Sequence, residues 1–136
     1  MRIGYAAAAG NVVALFGGLG VGKTVLAKGI LAGLGGNPDD ATSPTFTLIR
    51  EYPARLTLYH FDAYRVASPR EIVESGGEEA LFGDGICVVE WAEKILDVLP
   101  SDRLEVSIEV TGESSRMMRI TSTGEKSNLL LSKLAD

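Results

Sequence analysis

Gly17, Gly18, Leu19, Gly20, Val21, Gly22, Lys23 and Thr24 spell GGLGVGKT, a full match to the phosphate-binding pattern G-x-x-x-x-G-K-S/T. A loop that turns its backbone N–H groups inward around phosphate oxygens needs positions that accept unusual φ/ψ and carry no obstructing side chain. Gly17, Gly18, Gly20 and Gly22 supply them. Lys23 is placed to set a point charge against the outer phosphates, and the Thr24 hydroxyl to ligate Mg2+ where the next helix begins. Such a site needs a further acidic residue at the carboxyl end of a neighbouring apolar strand, to hold Mg2+ or its water beside Thr24. Two residues qualify: Asp62 after LYHF and Glu90 after ICVV. Both are expected to face the crevice beyond the strand ends, the alternative for each being an ordinary exposed carboxylate.

Other residues nearby could join the chemistry. Ser43-Pro44-Thr45 falls where nucleotide switches present a hydroxyl to the terminal phosphate and its metal, which makes Thr45 a switch candidate; a cap or turn is the competing role. His60 shares a strand face with Asp62 and either orients it or is a structural residue. Trp91, next to Glu90, is expected in the core, with packing over a nucleotide or a partner surface as the alternative.

These positions require particular elements. Asn11 to Phe16, NVVALF, is a β-branched apolar run that ends on Gly17 and reads as a buried parallel strand. Val25, Leu26, Ile30, Leu31 and Leu34 then recur at helical spacing, with Gly33, Gly35, Gly36 and Pro38 as the stop. Strand, glycine loop and helix come in the order a phosphate site requires. Thr45 to Tyr52 and Leu56 to Tyr64 read as a hairpin about Pro53 and Ala54, whose second strand puts Leu58, His60 and Asp62 on one face and Tyr59 and Phe61 on the other. Ser68 to Gly76 reads as a short helix with Ser68 as N-cap, Pro69 at the first helical position and Glu71 completing a capping box. Glu78 to Gly83 is another helical turn, Asp84-Gly85 leads into the strand Ile86 to Glu90, and Trp91 to Leu99 is expected as a helix closed by Pro100. Arg103 to Val110 and Arg116 to Ser122 form a second hairpin, and Glu125 to Leu134 a small helix or strand. Met1 to Gly10 resembles the tail of a helix, too short for a complete element, so the N-terminus looks clipped.

With 136 residues the chain is expected to be a single domain, with little room for a second substrate-binding lobe. A net charge of −5 argues against a protein that holds nucleic acid by itself, because such affinity comes from basic patches on phosphates. The lone Cys87 sits inside ICVVEW and reads as a reduced core residue, which suits the cytoplasm. Asn11 interrupts the apolar stretch that could be taken for a signal peptide, and no run reaches the length of a membrane span.

G-x-L-G-x-G-K-T, SPTFTL, YHFDAYR and ICVVEWAEK, in that order and spacing, resemble the bacterial TsaE family, also called YjeE, from about Asn11 to the C-terminus. That family is the small ATPase component of the machinery that makes threonylcarbamoyladenosine next to the anticodon of tRNA. The resemblance implies a P-loop NTPase-like three-layer α/β domain with a mixed, mainly parallel central sheet. It implies ATP and Mg2+ as ligands, a complex with TsaD and TsaB, and only indirect contact with tRNA. In this numbering it gives Thr24 and Glu90 to the metal, with Asp62 beside them acting in hydrolysis, and makes SPTF, with Thr45, a switch. The expected nucleotide-binding set runs from Gly17 to Val25, with Arg116 near where the family offers a basic contact.

Two departures stand out. The family's loop usually reads GDLGAGKT, whereas here Gly18 replaces the acidic residue and Val25 a common second Thr; neither removes a phosphate ligand. Family members also carry a further strand and helix before the NVVALF strand that help to cover the adenine, and this segment is nearly absent here.

The leading function is therefore an ATPase that turns over slowly alone and is coupled to partners, with Lys23, Asp62, Glu90 and Thr45 in catalytic roles. A small P-loop kinase is the runner-up; it needs a second substrate pocket and usually an arginine-bearing lid, and the arginines here are scattered. A GTPase is disfavoured because no N-K-x-D motif occurs. A nucleotide-gated binding module without useful hydrolysis is the third reading.

Overall fold

The run ICVVE dictates the centre of the fold: an uninterrupted apolar strand must be covered on both faces, and Ile86–Glu90 is buried at every position. The computed structural model describes residues 2–16, 23–40 and 48–134, with the side chains of Arg2, Lys23, Thr24, Val25, Val110 and Arg116 outside that description. Residues 17–22 of the glycine loop, and Ser43, Pro44 and Thr45 of the expected switch, thus lie outside the described residues.

The strands are β1 (Val12–Phe16), β2 (Ile49–Tyr52), β3 (Leu58–Asp62), β4 (Ile86–Glu90), β5 (Leu104–Val110) and β6 (Arg116–Ser122). They form one sheet in the order β2-β3-β4-β1-β5-β6. β3, β4, β1 and β5 run parallel, and the two expected hairpins add β2 and β6 antiparallel at the edges. The helices are α1 (Arg2–Ala6), α2 (Lys23–Gly33), α3 (Arg70–Glu74), α4 (Gly77–Leu81) and α5 (Glu125–Leu134). Alternation along the strands separates two cores. Val13, Leu15, Leu58, Ile86, Val88, Leu104 and Val106 face α1, α2 and α5, where they meet Ile3, Leu26, Ile30, Leu31, Leu34 and Leu130. Val12, Ala14, Phe61, Cys87 and Val89 face the other way, onto Ile72 of α3, Leu81 of α4, and Ala92, Ile95 and Leu99. The result is the three-layer, mainly parallel α/β arrangement anticipated above.

Glycine ends α2 as its sequence implied. Gly35 adopts φ +83°, and the N–H groups of Gly36 and Gly35 return to the carbonyls of Leu31 (2.9 Å) and Ala32 (3.0 Å). This paired closure satisfies carbonyls that the last turn would otherwise leave bare.

Three expectations need correction. Trp91 to Leu99 is not an α-helix but two 3₁₀ turns, Ala92–Lys94 and Leu96–Val98. Trp91 takes a left-handed conformation that no α-helix accommodates, and burial of Ala92 and Ile95 at three-residue spacing matches the 3₁₀ period. Within the first ten residues, where too little was expected for an element, Arg2–Ala6 forms α1: it packs on α2, and Arg55 donates from Nη2 to the carbonyls of Gly4 (3.0 Å) and Ala7 (3.1 Å). Asn11, buried, accepts the Ala8 N–H at 2.7 Å and so fixes the turn from α1 into β1. At α3, Pro69 already has helical φ/ψ and the Ser68 hydroxyl accepts the Arg70 N–H at 3.3 Å, but Glu71 reaches back to the N–H of Ala67 rather than of Ser68.

Candidate functional site

Parallel register brings the two strand-end carboxylates together. Asp62 of β3 lies directly beside Glu90 of β4, and Glu90 beside Leu15 of β1. Neighbouring strands are about 4.8 Å apart, so Asp62 and Glu90 form one acidic edge next to the strand that enters the glycine loop. Both stand on the face covered by α2, because Leu58 and Val88, which share their faces, pack against that helix's core. α2 opens at Lys23, so the backbones of Lys23, Thr24 and Val25 form its first residues. Arg116 begins β6 and pairs with Val110 at the carboxyl end of β5; it is at the same edge of the sheet, two strands beyond β1.

The two carboxylates are held differently. Asp62, half-buried, accepts the Tyr64 N–H at 3.0 Å, a turn made by a short side chain on its own backbone. Its N–H donates to Leu48 O at 2.9 Å and the next N–H, of Ala63, to Glu90 O at 3.1 Å, which ties β3 to β4 at this point. Glu90 is only 4% exposed, and a buried carboxylate needs a partner. His60 supplies one through a short Nε2 hydrogen bond to Oε2. The sequence placed His60 with Asp62; the structure places it on Glu90. Along one strand, residues two apart are separated by about 6.6 Å, whereas β4 brings Glu90 diagonally across, His60 being in register with Val88.

Trp91, directly after Glu90, is the one non-glycine residue with positive φ among the described residues (φ 59°). For a bulky residue that conformation costs on the order of 1–3 kcal/mol. It turns the chain out of β4 and lays the indole, partly buried at the margin of the second core, against Tyr64, with ring centroids 5.0 Å apart. Lys94 Nζ lies 5.2 Å from the Tyr64 ring and 5.7 Å from the Trp91 ring, and donates to the Tyr64 carbonyl. Two rings and a cation thus flank the acidic edge. Sequence reading missed Tyr64 and Lys94. Their signal was position, two residues after Asp62 and four after Glu90.

Cys87 points away from this edge into the second core. Its thiol donates to Ala80 O at 3.2 Å, and burial pushes its pKa up to about 12, which agrees with a structural residue and not a nucleophile. No helix among the described residues is long and apolar enough to cross a membrane.

The family described as "Threonylcarbamoyl adenosine biosynthesis protein TsaE" matches residues 1–118. The chain belongs to the TsaE family. The tRNA threonylcarbamoyladenosine biosynthesis protein TsaE of Treponema pallidum (strain Nichols) is 42% identical over 111 residues, 82% of each chain. The protein of the same name from Bacillus subtilis (strain 168) is 40% identical over 127 residues, 93% of this chain and 78% of that one. The crystal structure of Bacillus subtilis YdiB superposes with a TM-score of 0.79 at 37% identity, covering 98% of this chain and 83% of that one. Two of the motifs named from sequence, YHFDAYR and ICVVEWAEK, therefore lie on a fold shared with a solved structure, with Asp62 and Glu90 side by side on it.

Proposed function

We propose that this chain is the ATP-hydrolysing component of the machinery that forms N6-threonylcarbamoyladenosine on tRNA, working with Mg2+ in a cytoplasmic complex with TsaD and TsaB. The observation that carries the reading is the in-register pair Asp62–Glu90 at the carboxyl ends of parallel strands, beside the strand leading into GGLGVGKT. The donor chemistry suits Mg2+, which is usually held by one or two carboxylates, water and substrate phosphates rather than by a protein-only cage. Among the described residues no group of three or more His, Cys, Asp or Glu could form such a cage.

In this reading the loop amides and Lys23 cradle the phosphates and stabilise the charge that develops as the terminal phosphoryl group leaves. Glu90 and Thr24 hold the metal, which neutralises phosphate charge when bound. Asp62, fixed by its own turn, orients the attacking water. Thr45 reports the state of the terminal phosphate, and residues 17–25 with Arg116 bind the nucleotide. The negative chain charge supports contact with tRNA through partners rather than directly.

The test is ATP hydrolysis by wild type, Lys23→Ala and Asp62→Ala, each with and without TsaD and TsaB. Loss on the order of 10²-fold in both variants is expected. Unchanged rates in both would overturn the reading, and nucleotide-dependent partner binding that survives Asp62→Asn without turnover would favour a nucleotide-gated binding module.

A further inference from the structure

We propose that His60 is a positioning residue for Glu90: its imidazole holds the carboxylate in the orientation that accepts a divalent cation, and so sets affinity for the metal–nucleotide complex rather than the rate of the chemical step. This rests on the ATP and Mg2+ reading above. Asp62 and Glu90 pose different mechanical problems at the same level of the sheet. Asp62 is short and is restrained by the Tyr64 N–H two residues on. Glu90 is a methylene longer, its terminal torsion is broad and weakly preferred, and away from Asp62 and His60 of β3 its neighbours on this face of the sheet are apolar: Val88 before it on β4 and Leu15 beside it on β1.

The imidazole Nε2 bonded to Glu90 Oε2 is a restraint on that side chain. It comes from a rigid place, the middle of β3, where His60 is in register with Arg50 of β2 on one side and Val88 of β4 on the other. Hydrogen bonds to ligating carboxylates orient them and tune metal affinity, and their loss typically costs 10–100-fold. Among the described residues His60 meets the acidic edge through its bond to Glu90, so its removal should act on metal uptake and leave metal-free nucleotide contacts alone.

The test compares His60→Gln with His60→Asn. A glutamine amide reaches about where Nε2 stands, whereas asparagine stops near Nδ1, and both are neutral, polar and small enough for the site. Trp91, the single tryptophan of the chain and the residue after Glu90, serves as a fluorescent reporter of binding without turnover. His60→Asn is expected to raise the Mg2+ concentration that half-saturates the ATP-bound protein about tenfold. Its affinity for ATP in EDTA and its kcat at saturating Mg2+ should stay at wild-type values, and His60→Gln should recover most of the Mg2+ affinity. In a Glu90→Gln background the His60→Asn step should add nothing. The proposal is overturned if a folded His60→Asn keeps wild-type Mg2+ dependence, if either variant weakens ATP binding equally in EDTA, or if the effect persists without the Glu90 carboxylate. Wild type that shows no Mg2+-dependent ATP binding would instead bring down the nucleotide reading beneath it.

Discussion

Replacing Gly4 by alanine should separate α1 from the helix that follows the glycine loop. A Cβ at Gly4 would stand 2.3 Å from the carbonyl oxygen of Ile30, 2.8 Å from Gly33 Cα and 3.0 Å from Gly33 C, all backbone atoms of α2. Comfortable contact needs about 3.5–4.0 Å, so no side-chain rotation relieves the clash and α1 must lift by about 1 Å. That movement opens the packing around Ile3 and Ala7, both buried, and stretches the Arg55 hydrogen bonds to the Gly4 and Ala7 carbonyls. Alanine's helix propensity favours the variant by at most about 1 kcal/mol, against an overpacking cost of about 1–3 kcal/mol plus the weakened bonds. A net loss of about 2 kcal/mol follows. At about 2.1 cal/mol/K per residue, 136 residues give an unfolding entropy near 0.29 kcal/mol/K, so the midpoint should fall by about 7 °C. Gly35→Ala is the control: its Cβ would meet nothing within 4 Å, and the cost comes only from φ +83°, about 1 kcal/mol or half the shift. Thermal melts followed by circular dichroism decide it. Gly4→Ala melting at or above wild type, or losing less than Gly35→Ala, would refute the close-approach argument.

Three further outcomes follow from two groups outside the acidic edge. Asp102 caps α5 from the turn that leads into β5, accepting the Lys126 N–H at 2.8 Å and the Ser127 N–H at 3.0 Å, so Asp102→Ala should cost about 1 kcal/mol in urea unfolding at neutral pH. Burial pushes the Asp102 pKa up, but bonds from the Ser127 side chain and N–H, the Lys126 N–H and the Lys126 charge outweigh it and leave the pKa lowered. The ionised cap therefore stabilises the fold above the ordinary Asp value of about 3.9 and loses that contribution as pH falls through the lowered folded value. The stability gap between wild type and Asp102→Asn should accordingly close in acid, and a gap that widens there would contradict the assignment. Cys87, buried with its pKa near 12, should resist aromatic disulfide reagents at mildly alkaline pH in the native protein and react fully once unfolded; rapid native labelling would show the second core to be open.

Local chemistry made much of this protein legible from its residues. Apolar runs ending in Gly17, Asp62 and Glu90 marked β1, β3 and β4, and turn residues marked both hairpins, because strand ends and turns are written in a few adjacent residues. Gly35 announced the end of α2 through a backbone conformation open to few other residues, and Gly36 through a close approach to Leu31 that leaves no room for a Cβ. What tertiary structure decided was neighbourhood. That β4 inserts between β3 and β1, so that Asp62 meets Glu90 and Glu90 meets Leu15, is a matter of register between strands far apart in the chain. That His60 serves Glu90 instead of Asp62 follows from the same insertion. The left-handed Trp91 and the 3₁₀ turns after it likewise answer to the surface they must cover, and α1 is held by α2 and Arg55, neither of which its own short sequence contains. A strand's periodicity states which face each side chain takes, while only the packed sheet states which strand lies beside it.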